Sequence, residues 1–216
     1  MMTCRFFLRS LLVPACLLLS PAAGAEPAYL AAPAELTTAP GGGEVLAKLQ
    51  VAAGIEVTGS REGWRRVVLR GWAREGAERA MFARPGKQIF VAVLDRGAVD
   101  RLIPLGRETD PDTGIDWQQY ELDGWVVASA LSPDIEPLWS DAWELFSRRC
   151  TACHQRRVPA NYTANQWRSH LGVMGPRTGL PKEKQAQILV FLQHHARDTL
   201  DDEIAAGTAW PPATRR

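Results

Sequence analysis

Cys150-Thr151-Ala152-Cys153-His154 sets two thiols three residues apart, with an imidazole immediately behind the second. C-x-x-C-H is the attachment motif of a c-type haem. The sulfurs add across the porphyrin vinyl groups, two intervening residues let one turn of chain present both to one porphyrin edge, and His154 reaches the iron as proximal ligand. With four cysteines and four histidines in 216 residues, chance would produce the pattern on the order of once per thousand such sequences. Two other chemistries share part of it. A thioredoxin-like pair wants a preceding strand in an α/β pattern, which is not readable before Cys150, and a zinc site wants a second cysteine pair of similar spacing.

A sixth iron ligand is sought by elimination. Beyond residue 25 the chain has two methionines, Met81 and Met174, and four histidines, His154, His170, His194 and His195. Met81 lies far from the motif. Met174 follows His154 by 20 residues, just past a helical pattern, where a loop brings a thioether to the distal face. His170 is the alternative, then His194 or His195, then an open site. As structure alone, Met174 reads as a gap-filling core methionine and His194-His195 as a solvated helix end.

These residues need helices to place them. Asp141 and Glu144 have capping-box spacing, and Leu138, Ala142, Leu145 and Phe146 form an apolar face leading into Cys150. Thr163 and Gln166 form a second box, opening a helix that contains Trp167 and Leu171 and ends at Gly172 or Gly175-Pro176. Pro181 suits a first helical turn, and Ile188, Leu189, Phe191, Leu192 and His195 form the stripe of a terminal helix. The pattern predicts a small all-α cytochrome c-like domain over 138–200, followed by a tail, 201–216. Ser132 to Pro137 has the composition of a domain linker.

Ahead of the helices, residues 27–135 have short apolar runs and many glycines. Trp64–Trp72, WRRVVLRGW, and Trp117–Trp125, WQQYELDGW, both fit W-x-x-Φ-x-L-x-G-W at an offset of 53 residues. They predict duplicated β units of about 30–78 and 82–132, each with a strand that turns at Gly71 or Gly124. Val45-Leu46, Gly54–Val57 and Ile89–Leu94 supply further strands. The phrasing resembles SH3-like barrels of bacterial periplasmic proteins, and the tryptophans read as core and barrel-mouth packing. No Ser-His-Asp order or Gly-rich phosphate loop is present, and Asp110, Asp112 and Asp116 read as a solvated loop. The expected fold class is α+β: an all-β SH3-like barrel region, then the helical domain.

The first 25 residues carry Arg5 and Arg9, an apolar run from Leu11 to Leu19 and Ala23-Gly24-Ala25, the pattern of a cleaved secretory signal peptide. The run is short for a membrane span, and it continues past Cys16, which disfavours acylation there. Without this leader 191 residues remain, with 23 basic and 24 acidic side chains. That balance gives no footprint for nucleic acid. A composition of 46% apolar and 23% charged residues is that of a soluble globular protein. The expected location is periplasmic, with no transmembrane segment in the mature chain.

The stretch from Trp143 to Asp198, with YTANQW, Met174 and the terminal L-Q-x-H-A-x-D-T phrase, resembles the C-terminal monohaem domain of the pentahaem c-type cytochromes that serve periplasmic molybdenum reductases for trimethylamine N-oxide and related S- and N-oxides. In that family an SH3-like segment also precedes the haem domain. The resemblance implies one covalent haem c on Cys150, Cys153 and His154, with Met174 by position, and a molybdenum reductase as redox partner. Family members begin with a membrane-anchored tetrahaem domain that oxidises quinol. This chain has one C-x-x-C-H, so a separate quinol dehydrogenase is implied as electron source. The resulting expectation is a single-electron relay that is not itself a catalyst. A haem-based regulator or sensor, and an envelope-binding module carrying a haem, are the competing readings.

Overall fold

The computed structural model describes residues 25–151 and 155–210. The expected leader lies outside the described residues except for Ala25, as do Cys153 and His154 of the haem motif.

The fold is mixed sheet and helix, the α+β class expected. Ten strands come first: β1 (Glu26–Leu30), β2 (Ala34–Thr37), β3 (Val45–Leu49), β4 (Gly54–Arg61), β5 (Trp64–Ala73), β6 (Ala80–Arg84), β7 (Lys87–Leu94), β8 (Ile103–Thr109), β9 (Asp116–Val127) and β10 (Leu131–Ser132). All pair antiparallel, in the order β10-β1-β4-β5-β6-β7-β3-β2-β9-β8, and a further β5–β9 pairing closes a six-strand circuit. Inside it pack Leu36, Leu46, Leu49, Val67, Leu69, Met81, Leu94, Leu122 and Val126.

The circuit explains the repeat. β2 to β5 and β6 to β9 are two four-strand units in the same order, and each unit pairs internally only through hairpins: β2–β3 and β4–β5 in one, β6–β7 and β8–β9 in the other. Every other pairing in the circuit joins one unit to the other. The two repeat copies are therefore neighbours in one sheet, with Leu69 opposite Leu122 and their flanks related as if by a two-fold axis (Val67 opposite Gly124, Gly71 opposite Tyr120). The last tryptophan of each copy closes the circuit. Trp72 bridges Phe82 of β6, and Trp125 bridges Thr37 of β2.

Neither unit has a pairing that joins its own two hairpins. One expectation is corrected here: the strands do not turn at Gly71 or Gly124; β5 and β9 run straight through them. Each glycine instead admits the first strand of the other unit. A Cβ on Gly71 would stand 3.0 Å from Met81 Cε and 3.1 Å from Val91 Cγ2; one on Gly124 would stand 2.8 Å from Leu36 Cγ and 2.9 Å from the Thr37 carbonyl oxygen.

Four helices follow: α1 (Glu136–Arg149), α2 (Ala164–Met174), α3 (Lys182–His194) and α4 (Leu200–Ala206). α1 starts earlier than the Asp141 box implies. Pro137 occupies its first turn, so Asp141 lies inside the helix on its exposed side. The Thr163–Gln166 box is present at the start of α2, with both reciprocal hydrogen bonds. Residues 201–206, expected as part of a tail, belong to α4, which Arg84 of β6 ties down through Asp202 and Glu203.

The helices sit on the β6–β7 hairpin. Val51, Ala52 and Ile89 of the β part are buried in the helical core beside Trp139, Phe146, Trp167 and Phe191. Asn165 donates to the Gly86 carbonyl (2.8 Å) and accepts from the Gln88 N–H (2.7 Å), while Gln193 donates to the Gln88 carbonyl at 3.0 Å. Lys87 reaches Asp198 at 3.1 Å. The stretch read as a linker is held as well: Ser132 ends β10 and Ile135 is buried.

Candidate functional site

α1 delivers Cys150 to a cavity of about 360 Å³. The last turn fixes the residue, since the Cys150 N–H donates to the Phe146 carbonyl at 3.0 Å. Its side chain is half-buried and burial pushes the thiol up from its ordinary value. Phe146, Trp167, Leu171 and Leu192 form the apolar wall, and Met174 lines the same cavity with Cys150. Met174 sits at the last residue of α2 rather than in the loop beyond it. α2 is aimed there by its capped start and by Trp167, whose indole N–H donates to the Pro159 carbonyl at 2.9 Å.

The histidines are placed elsewhere. His170 does not line the cavity; its ring packs edge-on against Tyr162 and Trp167, and burial together with the Arg157 charge lowers its pKa. His194 has Nδ1 at 2.8 Å from Glu203. His195 is committed on both nitrogens: Nδ1–H donates to the Phe191 carbonyl at 2.7 Å, and Nε2 accepts the Trp210 N–H at 2.7 Å. Burial drives its pKa down to about 4, so the imidazole is neutral. Met81 is enclosed in the sheet core. Of the ligand candidates among the described residues, the fold therefore brings Met174 alone to the cavity that Cys150 lines.

Sequence reading missed the charge around this cavity. Arg148, Arg149, Arg157 and Arg177 all line it. Arg148 has a carboxylate partner, Glu144 at 2.6 Å; Arg149, Arg157 and Arg177 have no carboxylate partner among the described residues. The signal was visible as two arginine pairs, Arg148-Arg149 and Arg156-Arg157, flanking the haem motif. Arg156 lies over Trp143, with its guanidinium 4.4 Å from the centre of the ring. Arg157 donates from Nη1 to the Tyr162 hydroxyl, while its Nε–H is buried without an acceptor among the described residues.

An apolar slot with a thiol, a thioether and a positive rim fits a flat, largely apolar macrocycle that carries carboxylates and a metal with affinity for sulfur. The orphaned Nε–H of Arg157 marks a place where an acceptor belongs.

Comparison with known proteins bears on the identity of the chain. The family model described as the TorC third cytochrome c domain matches residues 22–131, about half of the chain. The chain belongs to the TorC third cytochrome c domain family. The matched span covers β1 to β9 and reaches β10, and it contains no cysteine. The chain is also 30% identical over 162 residues to the cytochrome c-type protein TorC of Escherichia coli (strain K12), covering 74% of this chain and 42% of that protein. It is 29% identical over 130 residues to the cytochrome c-type protein TorY of Haemophilus influenzae, covering 60% of this chain and 35% of the relative. The chain thus spans about two fifths of the length of the curated relatives it matches. No solved structure matches it. Among the described residues, no helix is long and apolar enough to cross a membrane.

Proposed function

We propose that the chain is a periplasmic monohaem c-type cytochrome that relays single electrons to or from a redox partner, a molybdenum S- or N-oxide reductase or a related oxidoreductase. The observation that carries this reading is the convergence of Cys150 and Met174, 24 residues apart, on one apolar cavity rimmed by arginines. Cys150 and Cys153 would hold one haem c covalently. His154 and Met174 would ligate its iron, and Phe146, Trp167, Leu171 and Leu192 would exclude water from it. When bound, the group would supply a one-electron carrier. A thioether ligand from Met174 would favour the ferrous state and raise the potential relative to a bis-histidine site.

Electrons would reach the chain from a separate quinol dehydrogenase. The β part would dock and the helical part would transfer electrons. The relatives' names as cytochrome c-type proteins support the cofactor, and the cysteine-free family match supports a role for the sheet other than haem attachment.

The test is direct. Protein matured in a host with cytochrome c assembly should keep one haem per chain after denaturation and acid-acetone extraction, while Cys150→Ala and Cys153→Ala should each reduce retention. Complete extraction of haem from the parent protein would refute the reading.

A further inference from the structure

Arg157 has more donor capacity than the protein uses. Its Nη1 donates to the Tyr162 hydroxyl, and its guanidinium lies over the Tyr162 ring at 5.2 Å from the centroid. The Nε–H is buried and has no acceptor among the described residues. Leaving a buried donor unpaired is costly, more so for a charged group, so the arrangement calls for a partner. Swinging out to water is opposed by Tyr162, which is wedged against Trp167 (5.0 Å between ring centres) and His170 (4.7 Å). The guanidinium is thus held at the wall of the cavity that Cys150 and Met174 share.

The planar fork of arginine suits this double duty. One terminal nitrogen is committed to Tyr162 while Nε stays free for a second acceptor, an arrangement that a lysine ammonium does not reproduce. The acceptor should be anionic. Arg149 and Arg177 line the same cavity without a carboxylate partner among the described residues, so the rim carries uncompensated positive charge. A haem brings two propionate carboxylates. Burying such a carboxylate at an apolar wall is tolerated only with a well-placed, charge-assisted donor.

We propose that Arg157, held in place by Tyr162, donates its Nε–H to a propionate carboxylate of the haem and so raises the potential of the iron. This rests on the reading that the cavity receives a covalent haem. The electrostatic logic is simple: a fixed cation next to the group favours the state with one positive charge fewer, and it neutralises a carboxylate that would otherwise favour the ferric state.

The experiment uses full-length, haem-loaded protein and compares the parent with Arg157→Gln, Arg157→Lys, Tyr162→Phe and Arg66→Gln. Haem content is measured first, and the one-electron midpoint potential is then read by spectroelectrochemical titration. Arg157→Gln should lower the ferrous-to-ferric ratio at fixed ambient potential about tenfold, which is 59 mV for a one-electron couple. Tyr162→Phe should shift it the same way by a smaller factor, and Arg157→Lys should recover most of the loss by restoring the charge. Arg66→Gln, at an exposed side chain of β5 paired with Asp123 and away from the cavity, should change the ratio less than twofold. The proposal is overturned if Arg157→Gln and Tyr162→Phe both stay within twofold of the parent, or if Arg66→Gln matches Arg157→Gln. Should Arg157→Gln fail to accumulate folded protein, Tyr162→Phe decides the matter. A parent without covalent haem would remove the underlying reading, and the haem assay shows that before any potential is measured.

Discussion

His195 should make the protein lose stability in mild acid, through an imidazole that the fold keeps neutral. The residue is almost fully enclosed, its Nδ1–H is spent on the Phe191 carbonyl, and its Nε2 accepts the Trp210 N–H. Protonating Nε2 would turn that acceptor into a second donor facing a donor. Burial therefore holds the folded-state pKa at about 4 against an ordinary value of 6.5. The sign follows from proton counting. Between pH 6.5 and 4 the unfolded chain binds a proton at this site that the folded chain does not, so stability is complete above pH 6.5 and falls as the pH drops toward 4. At about 1.4 kcal/mol per pH unit, the loss across that window is ~3 kcal/mol. Urea unfolding followed by far-ultraviolet circular dichroism at pH 7.5, 5.5 and 4 measures it in the parent and in His195→Gln, which does not titrate. The variant should start less stable and decline less, with the difference closing by ~3 kcal/mol toward pH 4. An equal decline in both proteins would refute the assignment of this acid sensitivity to His195.

Two glycines should respond in opposite directions. Gly124→Ala places a methyl 2.8 Å from Leu36 Cγ and 2.9 Å from a backbone oxygen, so denaturation should show a loss of about 1–3 kcal/mol. Gly172→Ala, inside α2 with nothing within 4 Å of the new atom, should instead gain about 0.5–1 kcal/mol. Met174→Ala in the haem-loaded protein should abolish the weak long-wavelength sulfur-to-iron band and lower the potential. A retained band would move the sixth-ligand assignment away from Met174, with His170 the next candidate.

What the sequence made legible follows the range of the interactions. The Thr163–Gln166 box and the apolar spacing of Ile188, Phe191 and Leu192 act within one or two helical turns, and both appear in the structure as read. α1 was harder. Asp141 and Glu144 imitate a cap, but Trp139 is buried two residues before Asp141, and that packing extends the helix back to Glu136. Gly71 and Gly124 show an ambiguity of the residue itself. Glycine permits a turn, and it also permits close approach; which of the two applies depends on Met81, ten residues after Gly71, and on Leu36, 88 residues before Gly124, in strands that pair only in the folded sheet. The two arginine pairs beside the motif are legible, but the rim that they complete with Arg177 is not: Arg148 and Arg177 are 29 residues apart and meet only once the helices have packed.

The interlocked pairing of the two strand units has a consequence for how this chain can be divided. A cut in the exposed stretch between Ala73 and Ala80 would leave two fragments, each with two hairpins that do not pair with one another. Neither fragment could close a sheet alone, and each would present bare strand edges to any neighbour, the usual route to aggregation. Together they would hold complementary templates for one another. In its topology the β part is a dimer whose protomers share one backbone, and a mutation at the Leu69–Leu122 axis is felt by both halves at once.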